Sequence, residues 1–400
     1  MVNVLFVDDE KDILDGYRRM LFSMKNKWNL FYANNAYEAL HLLESRKIDV
    51  VLCDYKMPHM NGMELLHAIK DKYSFTIRIM LTGMTDNVTL ITSLPFIHRI
   101  IYKPCDTRYI KGVIENSIEL RKLIENNNLI SIINDIDSLP IIPDIVLEIE
   151  NELKSDNVSF IKLTNIIKKD PSLTAEILHT VNSGFFGLVR QINDITEALS
   201  YLGINSIKSI ILILYSSKQV EHKFAQKSYC KRIAYHSLIV ANIVSNICRE
   251  LRINQEHTEI AFISALLHDI GKLILLKLPD YLENKRFMMT ELNISETEAD
   301  MMLAKTTHNI VGAYLLGIWG FSAAVIHTVS NLYNQMNYKQ GEISPSLIVK
   351  LANEIAKYDF DKFDKSKMVL DWDVIEKYGF TEQIELWWNK AQLLKGINYE

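Results

Sequence analysis

Five polar residues in the first 120 positions form one chemical set although they lie far apart in the chain: Asp8, Asp9, Asp54, Thr82 and Lys103. Each stands at the end of a short apolar run. "NVLFV" leads to Asp8 and Asp9, "VVLC" to Asp54, "RIML" to Thr82, and "HRIIY" to Lys103. Carboxylates gathered at one place repel one another and raise their own pKa values unless a hard divalent cation sits among them, which points to Mg2+. Beside a metal, Asp54 can act as a nucleophile toward a phosphoryl group, with Lys103 neutralising the transferring oxygens. A second set lies further on: His236, the adjacent His268 and Asp269 in "ISALLHDIGKL", and His308. Imidazoles combined with a carboxylate hold hard or borderline metals and leave water positions open, as a metal phosphohydrolase requires.

The elements that would position these residues differ between the two parts of the chain. "NVLFV", "LFYA", "VVLC", "RIMLT" and "HRIIY" are short and rich in β-branched or aromatic residues, as strands buried on both faces are. Between them, "DILDGYRRMLFSM" and "AYEALHLLESR" repeat apolar residues three and four apart, as amphipathic helices do. A βα alternation of this kind closes by right-handed crossovers into a doubly wound, five-stranded parallel sheet, and ligands bind at the carboxyl ends of its strands. From Thr107 a long helical pattern follows, in which Ile110, Val113, Ser117 and Leu120 have coiled-coil spacing over only about two heptads; a packed terminal helix is the preferred reading. Beyond it nearly every segment is helical by pattern, punctuated by Pro171, Gly184, Gly203, Gly271 and Gly320. The expected organisation is an α/β domain over 1–120, a linker helix over 121–133, and an all-α domain with a helical extension over 134–400.

Composition limits the function. Over 400 residues the chain is 48 % hydrophobic and 23 % charged, ordinary globular values. No apolar run approaches the roughly 18 residues of a membrane span. "MVNVLFVDDE" has neither the basic start nor the cleavage site of a signal peptide, so the cytoplasm is the expected compartment. Cys53, Cys105, Cys230 and Cys248 lack CxxC spacing and read as free buried thiols. Basic and acidic residues balance over 1–120, so the net charge of −5 resides in the remainder. With no clustered Lys/Arg face, nucleic acid is not an expected partner.

"FVDDE", "VVLCDYKMPHMNGMELL", "MLTG" and "YKPC" together resemble the two-component receiver domain over about 120 residues. The resemblance implies a flavodoxin-like fold in which Asp9 and Asp54 hold Mg2+ with the Lys56 carbonyl, Asp8 supports it through water, and Asp54 accepts a phosphoryl group from a histidine kinase or phosphotransfer protein. Thr82 would follow the new phosphate, with Lys103 beside it. One position departs from the family: three residues before the lysine, where a switch aromatic is frequent, stands Ile100.

"SLPIIPDIVLEI", "DPSLTAEILHTVNSGFFG", "ITEALSYLG", "LLHDIGKLIL" and "HNIVGAYLLGIWGF" resemble the HDOD output domain, a relative of the HD phosphohydrolases, over about 132–335. That resemblance implies an HD-like helical scaffold without an intact catalytic site. The helix that would carry the last carboxylate reads "VKLANEIAKY", with Asn353 at the acid's position. After "WGFSAAVIHTVS" the His pair and Gly-Tyr-Pro of the HD-GYP phosphodiesterases are absent.

His236, His268, Asp269 and His308 are accordingly expected to be a vestigial site, a hydrogen-bonded polar knot in which Asp269 accepts from neighbouring helices and from His236; His327 is a lesser candidate. No second-domain metal is expected. The output would be a non-catalytic one acting on a downstream protein partner, with a homodimer left open. The alternative is a metal-dependent phosphodiesterase or phosphohydrolase of a cyclic dinucleotide using His236, His268 and Asp269. Trp387 and Trp388 read equally as core or as a partner-binding face.

Overall fold

A computed structural model describes residues 1–73, 76–83, 97–103, 110–115, 117–118, 144–153, 159–182, 192–219, 224–334, 343–357 and 363–395. Within the first 103, five strands form one parallel sheet: β1 (Val2–Val7), β2 (Trp28–Ala33), β3 (Val50–Asp54), β4 (Ile77–Gly83) and β5 (Arg99–Lys103), in the order β2-β1-β3-β4-β5. The apolar runs are continuous because both faces of the sheet are covered, and the period of two sorts them. Val4, Phe6, Val50, Leu52 and Ile79 face Leu14 and Tyr17 of α1 (Lys11–Met20) and Ile110, Val113 and Ile114 of the helical stretch at 110–115. Leu5, Val7, Val51, Cys53 and Met80 face α2 (Ala36–Ser45) and α3 (Gly62–Lys72). Asn35 caps α2, and Asn61 with Glu64 forms a capping box on α3.

The spacing of Ile110, Val113 and Ser117 reflects packing, since all three are buried. Leu120, the linker helix expected over 121–133, and Cys105 lie outside the described residues. Cys53, Cys230 and Cys248 are free and buried.

From Asp144 the described residues are mainly helical, beginning with Asp144–Leu153, Phe160–Lys168, Pro171–Asn182, Ile195–Leu202 and Ile204–Gln219. There follow α4 (Phe224–Glu250), α5 (Gln255–Leu267), α6 (Ile270–Leu275), α7 (Tyr281–Glu291), α8 (Glu296–Ala304), α9 (His308–Ile318), α10 (Ala323–Ser330) and α11 (Pro345–Lys357). The carboxyl half of α5 is apolar on every side because Ala261–Leu267 is buried all round. The apolar run "ISALLHDIGKLILL" is not one helix. It breaks at His268 and Asp269, and Asp269 has φ −98° and ψ 4°, the sparsely occupied bridge region. Its side chain makes no capping bond to α6, so it is free to turn into the protein interior.

Trp387 and Trp388, in the helix Thr381–Lys395, are core. The Trp387 indole N–H donates to Glu250 at 2.6 Å, which satisfies its polar end. At the start of β5, His98 meets the edge of Tyr314 on α9 at 6.3 Å between ring centroids. Among the described residues no single helix is long and apolar enough to cross a membrane.

Candidate functional site

The strand ends bring the receiver-like set together through a lysine. β3 and β4 align Asp54 with Leu81, and β4 and β5 align Gly83 with Lys103, so Asp54, Thr82 and Lys103 share the carboxyl edge. The Lys103 ammonium lies 2.7 Å from Asp8 Oδ2 and 2.5 Å from Asp54 Oδ1. Burial alone would lower its pKa, but the two carboxylates outweigh that and raise it. The remaining Asp54 oxygen accepts the Lys56 backbone N–H at 2.9 Å, and Asp8 Oδ1 accepts that of Glu10 at 3.0 Å. Asp8 and Thr82 are buried, whereas Asp9 stands exposed at the rim and makes no hydrogen bond or ion pair with the described residues. Hard oxygen donors with one carboxylate uncommitted fit a Mg2+ ion. Ile100 is partly buried on β5. Gly62 fixes the distance between α3 and the acceptor strand, since a Cβ there would come within 2.1 Å of the Asp54 carbonyl oxygen.

The second set is buried and larger than its sequence signature. His268 and Asp269 occupy the break between α5 and α6, while His236 comes from α4, His308 from the first turn of α9 and Asn353 from α11. His236, His268 and Asp269 offer ligand atoms within 4.8 Å of one another. Gly271 permits the convergence of α6 with α9, because a Cβ would lie 1.9 Å from the His308 carbonyl oxygen. His327 is exposed on α10 and stands apart from this buried cluster.

The proton positions follow from the partners. His268 Nδ1 lies 2.8 Å from the Ala265 carbonyl, which can only accept, so Nδ1 carries the proton and Nε2 is a bare lone pair. His308 Nδ1 donates to Asp300 Oδ2 in the same way, leaving its Nε2 to accept from the Tyr333 hydroxyl at 3.0 Å. Asp269 Oδ1 therefore faces two lone pairs, His268 Nε2 at 3.4 Å and His308 Nε2 at 3.5 Å. Among the described residues neither His268 Nε2 nor Asp269 Oδ1 has a hydrogen-bond partner. The expected bond from His236 to Asp269 is replaced by a contact of 2.9 Å between His236 Nε2 and Asn353 Oδ1. Burial pushes His236 down to about 4 and lowers His268, which keeps both imidazoles neutral.

Around this core lie residues that the motif reading missed. Lys272 bridges Asp269 Oδ2 at 2.8 Å and Glu296 at 2.9 Å; Lys285 bridges Glu296 at 2.9 Å and Asp300 at 2.8 Å. Tyr281 donates to Asp300. Burial works against Asp269, yet the charge of Lys272 beside it holds it well below the ordinary carboxylate range; Glu296 is likewise held down by Lys272. Two ammonium groups meet three carboxylates, so with neutral imidazoles the cluster keeps one negative charge. The unpartnered His268 Nε2 and Asp269 Oδ1, with His236 beside them and that residual charge, fit a borderline divalent metal better than Mg2+. Asp300 accepts the His308 Nδ1 proton and so fixes the ring's orientation, as a carboxylate behind a metal-binding histidine does.

Comparisons with known proteins match two separate stretches of the chain. Residues 4–115 match the response regulator receiver domain, and residues 139–335 match the HDOD domain. The chain is a receiver domain joined to an HDOD domain. An uncharacterized protein of Treponema pallidum is 25 % identical over 211 residues, 51 % of this chain and 39 % of that one. The hydrogenase transcriptional regulatory protein HoxA of Cupriavidus necator is 30 % identical over 122 residues, 30 % of this chain and 25 % of its own length. The chain thus spans between a quarter and two-fifths of these curated relatives. Among solved structures, an HDOD domain protein with unknown function from Geobacter sulfurreducens is 20 % identical, covering 71 % of this chain and 98 % of its own at a TM-score of 0.48. The receiver domain of an HD domain-containing protein from Pseudomonas fluorescens is 30 % identical, covering 30 % of this chain and 97 % of its own at a TM-score of 0.29.

Proposed function

We propose that this receiver–HDOD protein is a signalling switch in which Asp54 accepts a phosphoryl group from a histidine kinase or phosphotransfer protein and the HDOD domain is a binding output. The observation that carries the first half is Lys103 held between Asp8 and Asp54. Asp9, Asp54 and the Lys56 carbonyl would hold Mg2+, which when bound would supply charge neutralisation at the phosphoryl group. Asp54 Oδ1 attacks the phosphorus of the donor's phosphohistidine, the P–N bond breaks and the imidazole leaves with its electron pair, Lys103 swings from the carboxylate to the transferred phosphoryl oxygens, and Thr82 donates its hydroxyl to one of them. The contact of His98 with Tyr314 on α9, the helix that begins at His308, supports communication with the HDOD core. The output reading rests on Lys272 and Lys285, which occupy carboxylates that a substrate-binding metal centre would leave open. The test is capture of a protein partner from the cell of origin with and without beryllofluoride. Partner binding that changes in the wild type and not in Asp54→Ala supports the reading; binding indifferent to beryllofluoride counts against it.

One observation favours a second reading, a metal-dependent phosphodiesterase or phosphohydrolase of a cyclic dinucleotide. It is the bare His268 Nε2 facing the unpartnered Asp269 Oδ1. Elemental analysis of protein purified without chelator, followed by turnover of cyclic di-GMP, separates the two readings. Stoichiometric iron, manganese or zinc and turnover, both lost in Asp269→Ala, establish the enzyme; metal without turnover leaves a metal-bearing binding module.

A further inference from the structure

Among the described residues β2 is an outer strand of the receiver sheet, hydrogen-bonded only to β1, so its other edge presents backbone groups free of strand pairing there. A groove of about 700 Å3 runs along it. Phe31 and Tyr32, adjacent on the strand, turn to opposite faces of the sheet, and each carries a guanidinium: Arg46 lies 4.9 Å from the Phe31 ring centroid and Arg18 lies 4.6 Å from that of Tyr32. Beyond Arg18, Lys25 lies 4.3 Å over Phe22, which is 63 % exposed. No carboxylate lines the groove, although the whole chain is acidic at −5. Arg18 pairs with Asp15 at 2.9 Å on the open surface, where such a pair contributes little. The Tyr32 hydroxyl has no hydrogen-bond partner.

We propose that this edge is a docking site for an extended acidic segment of a partner protein, which adds to the sheet as a strand beside β2. Two features select that occupant. The free strand edge supplies main-chain hydrogen bonds only to an extended polypeptide. The cations on both faces demand negative charge on both sides of the added strand; since successive side chains alternate, two adjacent acidic residues place one carboxylate at Arg18 and the next at Arg46. The site lies on the edge strand remote from β5 in the strand order, so it recruits a partner independently of the state of Asp54.

The test uses the full chain and a fluorescein-labelled hexapeptide with two adjacent glutamates flanked by valine and threonine, read by fluorescence anisotropy. Saturable, salt-sensitive binding is expected, weakened about tenfold or more by the double reversal Arg18→Glu with Arg46→Glu and unchanged by Asp54→Ala. The same peptide with lysines for glutamates, or with a central proline that removes the pairing N–H, is expected not to bind. All three cations are exposed, and Lys25→Glu provides a second variant should the double reversal lower the thermal midpoint. Peptide binding indifferent to these reversals overturns the proposal. So does tighter binding of an oligothymidylate of the same length, which makes the groove a nucleic-acid site, or a dimer abolished by the double reversal, which makes its occupant a second copy.

Discussion

The receiver and HDOD domains each hold lysine between carboxylates, and the two arrangements differ in access to water. Lys103 keeps a quarter of its side chain exposed, beside an uncommitted Asp9 at the rim. Lys285 keeps 3 % and Lys272 10 %, and their carboxylates are shared among buried helices. An ammonium at a sheet edge can leave its carboxylate for an incoming phosphoryl group, because water and the new anion replace what it loses. A buried ammonium cannot move without stranding a carboxylate in a medium that solvates charge poorly. On the proposed function, Lys103 takes part in the reaction, whereas Lys272 and Lys285 belong to the scaffold.

The sharpest way to break this contrast is to remove each charge in turn. Asp54→Ala is expected to abolish acetyl-phosphate labelling of the intact protein completely, read by phosphate-affinity electrophoresis. Lys103→Ala should leave the fold intact while removing the beryllofluoride-induced change in tryptophan fluorescence or partner binding. In the HDOD domain, Lys285→Met leaves Asp300 and Glu296 without a shared counter-charge, and about 3–5 kcal/mol of stability should be lost in urea titration. A loss under about 1 kcal/mol would mean that Lys285 is dispensable and the two lysines are alike.

The receiver half was legible because its chemistry follows from chain geometry. Apolar runs of five or six residues ending in Asp, Thr or Lys are strands whose ends must meet at one edge, and the structure puts Asp8, Asp54 and Lys103 there. What the runs do not encode is that Asp8 turns to Lys103 while Asp9 stays outside, because both follow the same strand. The HDOD cluster was only half legible. His268 and Asp269 stand out in an apolar segment, but Lys285 in "YLENKRF" and Asp300 in "TEADMM" look like ordinary solvated helix faces. Their burial is decided by how α7 and α8 pack, which no local pattern reports. The break between α5 and α6 was hidden for a related reason: the segment is apolar throughout, so no change of period marks the turn.

Acid sharpens the comparison next, because the two regions titrate in opposite senses. His236 has its folded pKa depressed to about 4 by burial, against about 6.5 in an unfolded chain. Between those values the unfolded state binds a proton that the native state refuses, so the stability it contributes is present above pH 6.5 and lost as pH falls toward 4. At about 1.4 kcal/mol per pKa unit this loss is about 3 kcal/mol. Asp269, Asp300 and Glu296, held low, extend it to more acid pH. Lys103, held high, contributes stability that is present below the unfolded lysine pKa and lost only in strong base. Urea titrations from pH 7 to 4 should show the decline, and His236→Gln should flatten it. An unchanged slope in that variant would place the acid sensitivity elsewhere.

The smallest of these effects is geometric and concerns the two glycines that seat the sites. Gly271→Ala places a methyl group where the His308 carbonyl now lies, and α6 and α9 must part to admit it. Overpacking of this kind costs about 1–3 kcal/mol, and it should also move His308 Nε2 away from Asp269 Oδ1. Any metal retained by wild-type protein is then lost more readily to a chelator. Gly62→Ala strikes the Asp54 carbonyl instead, at the carboxyl end of β3 where the chain leaves the sheet. Its stability loss should therefore be the smaller, and its main consequence slower labelling of Asp54 as the acceptor carboxylate shifts from Lys103. If Gly62→Ala proves the more destabilising of the two, the receiver edge is as rigidly built as the HDOD core, and the motion assigned to Lys103 would have to come from its side chain alone.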